Sequence, residues 1–209
     1  MSDADGNVYT TVKIGNKWWM AENLKVKHYR NGFAIPNIRS GYNTDWQNAT
    51  GGVYTWYEES PTYPGLLYNP FALTDTNQIA PAGWHIPSDE EWKDLETAVG
   101  MSRENADKSG WRGSDEGEKL KMTGTAYWNK YEGVWATNAS GFAAQAGGCR
   151  IFDGNYSSPI GVLFTGFWWT STKDSNGECW YRYLDYKEKR IFRSHVAGNY
   201  AYSIRCVKD

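Results

Sequence analysis

Three features of this 209-residue chain predict a mixed α+β fold: a hairpin pattern near its start, one well-capped amphipathic helix near its middle, and a series of strand-like segments toward its end. Residues 8–22 read as the hairpin. Tyr9-Thr10-Thr11-Val12-Lys13-Ile14 is β-branched and alternating, Gly15-Asn16 is a two-residue turn, and Lys17 to Glu22 returns. Residues 31–60 are rich in Gly, Asn, Thr and Pro with aromatics between them, as in Ile35-Pro36-Asn37, which predicts long ordered loops with short strands. Residues 87–100 predict the helix: Ser88 and Glu91 form a capping box, Asp89, Glu90 and Glu91 complement the dipole, and Gly100 stands at the C-terminal cap. Trp92, Leu95 and Val99, spaced i, i+3 and i+7, make its buried stripe. A second, short helical piece is expected over 117–122, and strands over 168–172, 180–185, 190–196 and 200–207.

The size suits one domain over residues 1–209, since a chain this long hides roughly 70% of its unfolded surface on folding. Twelve tryptophans in such a chain point first to core, because each ring removes on the order of 150–250 Å² from water, and next to ring-stacking recognition. Lys and Arg number 22 and Asp and Glu 24, a net charge of −2 that is too balanced for a nucleic-acid partner. No apolar run approaches the ~20 residues of a membrane helix, so no membrane insertion is expected. The start, Met1-Ser2-Asp3-Ala4-Asp5-Gly6, lacks the basic and apolar stretches of a secretory signal, which fits either a cytoplasmic chain or one whose export segment has been removed.

Cys149, Cys179 and Cys206 allow at most one internal disulfide, in three pairings. They make no thiolate zinc motif, since no C-x-x-C occurs and His28, His85 and His195 stand far apart, so neither metal nor other cofactor is expected. Asp3, Asp5 and Asn7 resemble the start of a calcium loop, but Ile14 occupies the place of the closing glutamate and a turn is the expected meaning. On the strand 180–185, Tyr181, Tyr183 and Asp185 share one face and Trp180, Arg182 and Leu184 the other. Both faces are half polar, as they are in the 190–195 segment, so one side of this sheet is expected to meet solvent or a ligand.

Several segments together resemble the Fibrobacter succinogenes major paralogous domain family. They are 3–9 with 12–24 at the start, Pro81-Ala82-Gly83-Trp84-His85-Ile86-Pro87-Ser88 with Glu91-Trp92 in the middle, Leu120-Lys121-Met122-Thr123-Gly124 with Trp128, and 166–172, 180–184 and 203–207 at the close. The resemblance implies a C-type lectin-like fold with a small twisted antiparallel sheet, one or two helices and long ordered loops, in secreted or cell-surface proteins. Family members often carry a cysteine where this chain has Ala80, so a disulfide from there to the last strand is lost and Cys206 is expected to be a buried free thiol. The middle segment also resembles formylglycine-generating enzymes. Their copper chemistry needs two close thiolates, however, and five residues before Cys179 stands Asp174.

The functional expectation is a non-catalytic ligand-binding module, adhesin-like or receptor-like, for an unknown protein or glycan. Its expected contact residues are Tyr181, Tyr183, Asp185, Arg190, Arg193, His195 and Tyr200, held by a scaffold of Trp18, Trp19, Trp84, Trp92, Trp168, Trp169 and Cys206. A more specific version is the variable protein of a diversity-generating retroelement, with mixed residues between the fixed segments 168–172 and 204–207. Calcium-dependent sugar binding is not expected, because Ile35-Pro36-Asn37 lacks the carboxylate and Trp128-Asn129 is followed by Lys130. The alternatives are a structural subunit of a surface or phage-fibre assembly and a lectin-fold enzyme, for which no nucleophile, phosphate-loop or dinucleotide motif appears.

Overall fold

A computed structural model describes residues 1–57, 64–156 and 161–209. Residues 58–60, the end of the loop-rich 31–60 stretch, lie outside these. Strands β1 (Thr11–Ile14) and β2 (Lys17–Met20) pair antiparallel with Ile14 opposite Lys17, so Gly15-Asn16 is the two-residue turn and Gly15 takes φ 59°. Asp3 accepts backbone hydrogen bonds from Asp5 and Asn7, which makes 3–7 the expected turn.

The loop-rich region then contributes α1 (Asn43–Gln47), β3 (Tyr54–Thr55), β4 (Leu67–Tyr68) and α2 (Pro70–Thr74). Helix α2 has Pro70 at its first position and Asn69 accepting from the Ala72 N–H as its cap. After β5 (Trp84–His85) comes α3 (Asp89–Ala98), whose capping box forms in both directions between Ser88 and Glu91. Then follow α4 (Arg103–Asp107), β6 (Gly110–Arg112) and α5 (Glu116–Leu120). The chain closes with β7 (Thr165–Lys173), β8 (Cys179–Asp185), β9 (Ile191–Val196) and β10 (Val207–Lys208).

The α+β class is as expected, but five helices replace the expected one or two among the described residues. The additions α1, α2 and α4 are five residues each, too short to print a helical period on the sequence. The expected strand over 200–207 is likewise only β10, preceded by single bridges from Ala201, Tyr202 and Ser203 to Arg150, Tyr68 and Trp168.

Two four-stranded antiparallel sheets result, in orders β1-β2-β10-β5 and β6-β9-β8-β7, beside the pair β3-β4. Strand β10 inserts between β2 and β5, so the last residues complete the sheet begun by the first hairpin. The rings of Trp19, Trp92, Phe142 and Trp168 meet edge to face at centroid distances of 5.3 to 6.5 Å, joining hairpin, α3 and β7 in one core. Trp84, Trp169 and Cys206 belong to a second core cluster on the other side. Trp18 is a correction: it alternates with Trp19 on the β2 pleat and is 44% exposed, so it lies outside the core. All three cysteines are buried, Cys179 and Cys206 as free thiols, and burial pushes the Cys206 thiol far up.

Candidate functional site

Strand register decides which side chains of the second sheet stand together. Phe167 lies opposite Tyr183, Trp169 opposite Tyr181, Tyr181 opposite Ser194, Tyr183 opposite Phe192 and Phe192 opposite Trp111. Directly opposed residues share a face, so these rings form one row across four strands. Phe167 stacks on Tyr183 at 4.6 Å and 11° and on Tyr202 at 4.9 Å. Trp111 meets both Tyr183 and Phe192 at 5.2 Å. Beyond Tyr202 the row continues to Tyr200 at 5.9 Å and to Phe152, which is 55% exposed.

Burial grades across this face. Trp169 and Phe167 on β7 are core, whereas Tyr181, Tyr183, Phe192 and Trp111 are half-buried. Asp185 accepts a short hydrogen bond from the Tyr183 hydroxyl. Burial first, and then the neighbouring Asp185 carboxylate, push the Tyr183 phenol far up; burial likewise raises Tyr181 and Tyr200. These hydroxyls stay protonated at neutral pH and act as hydrogen-bond donors and acceptors.

The opposite face has another character. Arg182 donates to Asp89 at 2.8 Å and to Glu96 at 2.6 Å, and Arg112 binds Glu96 in bidentate fashion at 2.7 and 2.8 Å. Arg193 donates to both oxygens of Asp89, at 2.9 and 2.7 Å, and its guanidinium lies 3.7 Å from the Trp180 ring centroid. All five charged groups are buried, clamping the sheet to α3. Burial by itself would raise the Asp89 carboxyl, but the bonds and charges of Arg193 and Arg182 outweigh it and hold Asp89 well below the usual carboxylate range.

The expected contact set therefore divides. Tyr181, Tyr183, Asp185 and Tyr200 come together on the aromatic face. Arg193 is corrected to a buried structural ion pair, on the other face by register with Arg182. His195 shares that face, opposite Trp180, and pairs with Glu178. Arg190 sits in the β8–β9 turn, held by Glu188 at 2.6 Å. Trp111, Phe192, Ser194, Phe167 and Tyr202 were not among the expected contacts. The alternation of Phe192 and Ser194 with Arg193 was visible in the sequence; which of the two faces matched Tyr181 was a matter of register.

A sequence model of the Fibrobacter succinogenes major domain matches residues 12–208. The chain belongs to this family. No protein of curated function and no solved structure matches it. In this family member the segments that carried the resemblance are chiefly scaffold. Gly83 turns the chain with φ 73°, and Trp84 then enters β5 opposite Lys208. Arg205 is fully buried, donating to Asn23 at 2.8 Å and to the Phe142 and Ala143 carbonyls, and burial pushes its pKa down to about 9.

Proposed function

We propose that this domain is a non-catalytic ligand-binding module, adhesin-like or receptor-like, acting at the bacterial surface or outside the cell. Its contact surface is the aromatic face of the second sheet. The single observation that carries the reading is the row from Trp111 through Phe192, Tyr183 and Tyr181 to Tyr202 and Tyr200, half-buried over much of its length and edged by Ser194 and Asp185. Rings already stacked on one another lose little side-chain freedom on binding, so contact area costs little ordering. Such a face suits a sugar ring or the apolar side chains of a protein, with hydroxyls at its edge to fix orientation.

Catalysis is not part of this reading, because the tyrosines are held protonated and the buried carboxylates Asp89 and Glu96 are committed to arginines. The sequence-diversified version becomes specific: substitutions between natural copies would collect at positions 181, 183, 185, 192, 194 and 200 and spare 182 and 193.

A glycan array and a display library of surface-protein fragments, probed with the wild type and with Tyr181→Ala/Tyr183→Ala, test the reading. The expectation is a ligand in one screen whose affinity falls at least about tenfold in the double variant, in keeping with the large share of binding energy that aromatic anchors carry. Wild-type binding that the double variant retains in full would move the site elsewhere.

A further inference from the structure

All three histidines face carboxylates, and the three arrangements differ. His28 Nδ1 meets Asp5 alone. His85 has Asp209 on Nδ1 but Glu91 on Nε2, so its two carboxylates lie on opposite sides of the ring, and Glu91 is also paired with Lys17 at 2.9 Å. His195 is unlike both. Glu178 Oε2 lies 2.7 Å and Asp174 Oδ2 3.5 Å from the same nitrogen, Nδ1, and the three atoms are all within 4.8 Å of one another.

The one proton that Nδ1 can carry serves Glu178 Oε2 at 2.7 Å, and the second carboxylate, Asp174 Oδ2 at 3.5 Å, faces the same nitrogen without a proton to share. Neither Asp174 nor Glu178 has a Lys or Arg ion-pair partner among the described residues, so two negative charges share one imidazole. Nearby Arg193 is committed to Asp89. Asp174 is held in place: its Oδ1 accepts the Asn176 and Glu178 N–H groups at 2.9 and 2.8 Å, and its Oδ2, which takes only a long bond of 3.4 Å from the Asn176 side-chain amide, faces the histidine.

We infer that Asp174, Glu178 and His195 form a binding site for one divalent ion of the Zn²⁺ type, bridging the β7–β8 turn to β9. One imidazole and two carboxylates are a borderline-to-hard donor set, suited to zinc rather than to soft copper(I) or to an all-oxygen calcium site. In a tetrahedral zinc site with bonds of roughly 2.0–2.1 Å, ligand atoms stand about 3.4 Å apart, close to the 3.5 Å between Asp174 Oδ2 and His195 Nδ1. The Glu178 oxygen would retreat from the nitrogen by a fraction of an ångström to admit the ion. Water takes the fourth position, because Glu178 and His195 are partly exposed. The site lies on the face opposite Tyr181 and Tyr183 and stands independently of the ligand-binding reading.

The test is calorimetric titration of tag-free, EDTA-treated protein with zinc chloride, for wild type, His195→Ala, Glu178→Gln and His85→Ala. Melting of each variant with and without zinc accompanies it. The expected result is one zinc per chain, with affinity reduced about 100-fold or more in His195→Ala, since even outer-shell changes commonly cost about 10–100-fold. His85→Ala should bind as the wild type does. Zinc should raise the melting temperature of wild type and His85→Ala but not of His195→Ala. Glu178→Gln keeps the side-chain shape and carries the test if His195→Ala fails to fold. Absence of saturable one-to-one binding by the wild type would overturn the inference. So would binding that both site variants retain, or that His85→Ala loses equally.

Discussion

The two faces of the β6-β9-β8-β7 sheet differ in what they bury: the one packed on α3 seats arginines among the apolar Trp168, Leu184 and Ile191, the other seats chiefly rings. The side packed on α3 carries Arg182 and Arg193 with Asp89, Glu96 and Arg112, all buried, while the opposite side carries rings left half-buried on β8, β9 and β6. Alternate residues of one strand, Arg182 between Tyr181 and Tyr183, thus have opposite physical roles. A charge is tolerated in the interior when each of its donors finds an acceptor, and Arg182 finds Asp89 and Glu96. Rings on the other side shield one another where they stack, and their free edges remain available for contact. The comparison shows why residue type alone misplaces a binding face: Arg193 is polar and structural, whereas Phe192 is apolar and partly open.

The strongest way to break this contrast is Arg182→Ala. It leaves Asp89 and Glu96 buried with one partner fewer, and urea unfolding should show a loss of about 3–5 kcal/mol. A loss below about 1 kcal/mol would mean that the network is incidental to the fold.

An acid titration of stability should come next in size. Glu91 is partly buried, which by itself raises its pKa, but the Ser88 N–H, Lys17 and His85 outweigh this and bring it down to about 2; Asp89 is lowered as well. Depressed folded-state values contribute stability that is complete above the unfolded carboxylate range near pH 4 and is lost as pH falls below it. Melting temperature should therefore hold steady from pH 7 to about 5 and fall steeply from about 4 toward 2. Asp89→Asn should start lower and fall less. An equal acid slope in that variant would remove Asp89 from the account.

The smallest stability effect is expected on the aromatic face. Tyr183→Ala removes a ring that is stacked but half-buried, so a loss of about 1–2 kcal/mol is expected, clearly less than for Arg182→Ala. A loss as large as that of Arg182→Ala would make the aromatic face core and withdraw it as a contact surface.

Much of this architecture was legible in the chain. The hairpin around Gly15-Asn16 and the helix begun by Ser88 and Glu91 rest on contacts between residues three to nine apart, which sequence spacing records directly. Burial of Trp19, Trp92, Trp168 and Trp169 follows from ring size and periodicity, and the family was readable because its segments recur in order along residues 12–208. What the tertiary structure alone decided was pairing at a distance. It turned Arg193 inward to Asp89, it placed Trp111 beside Tyr183, and it brought His195 to Asp174 and Glu178. Alternation along a strand sorts side chains into two faces without saying which face meets the core. That choice belongs to the register between strands and to the helix packed across them, and no single segment encodes either.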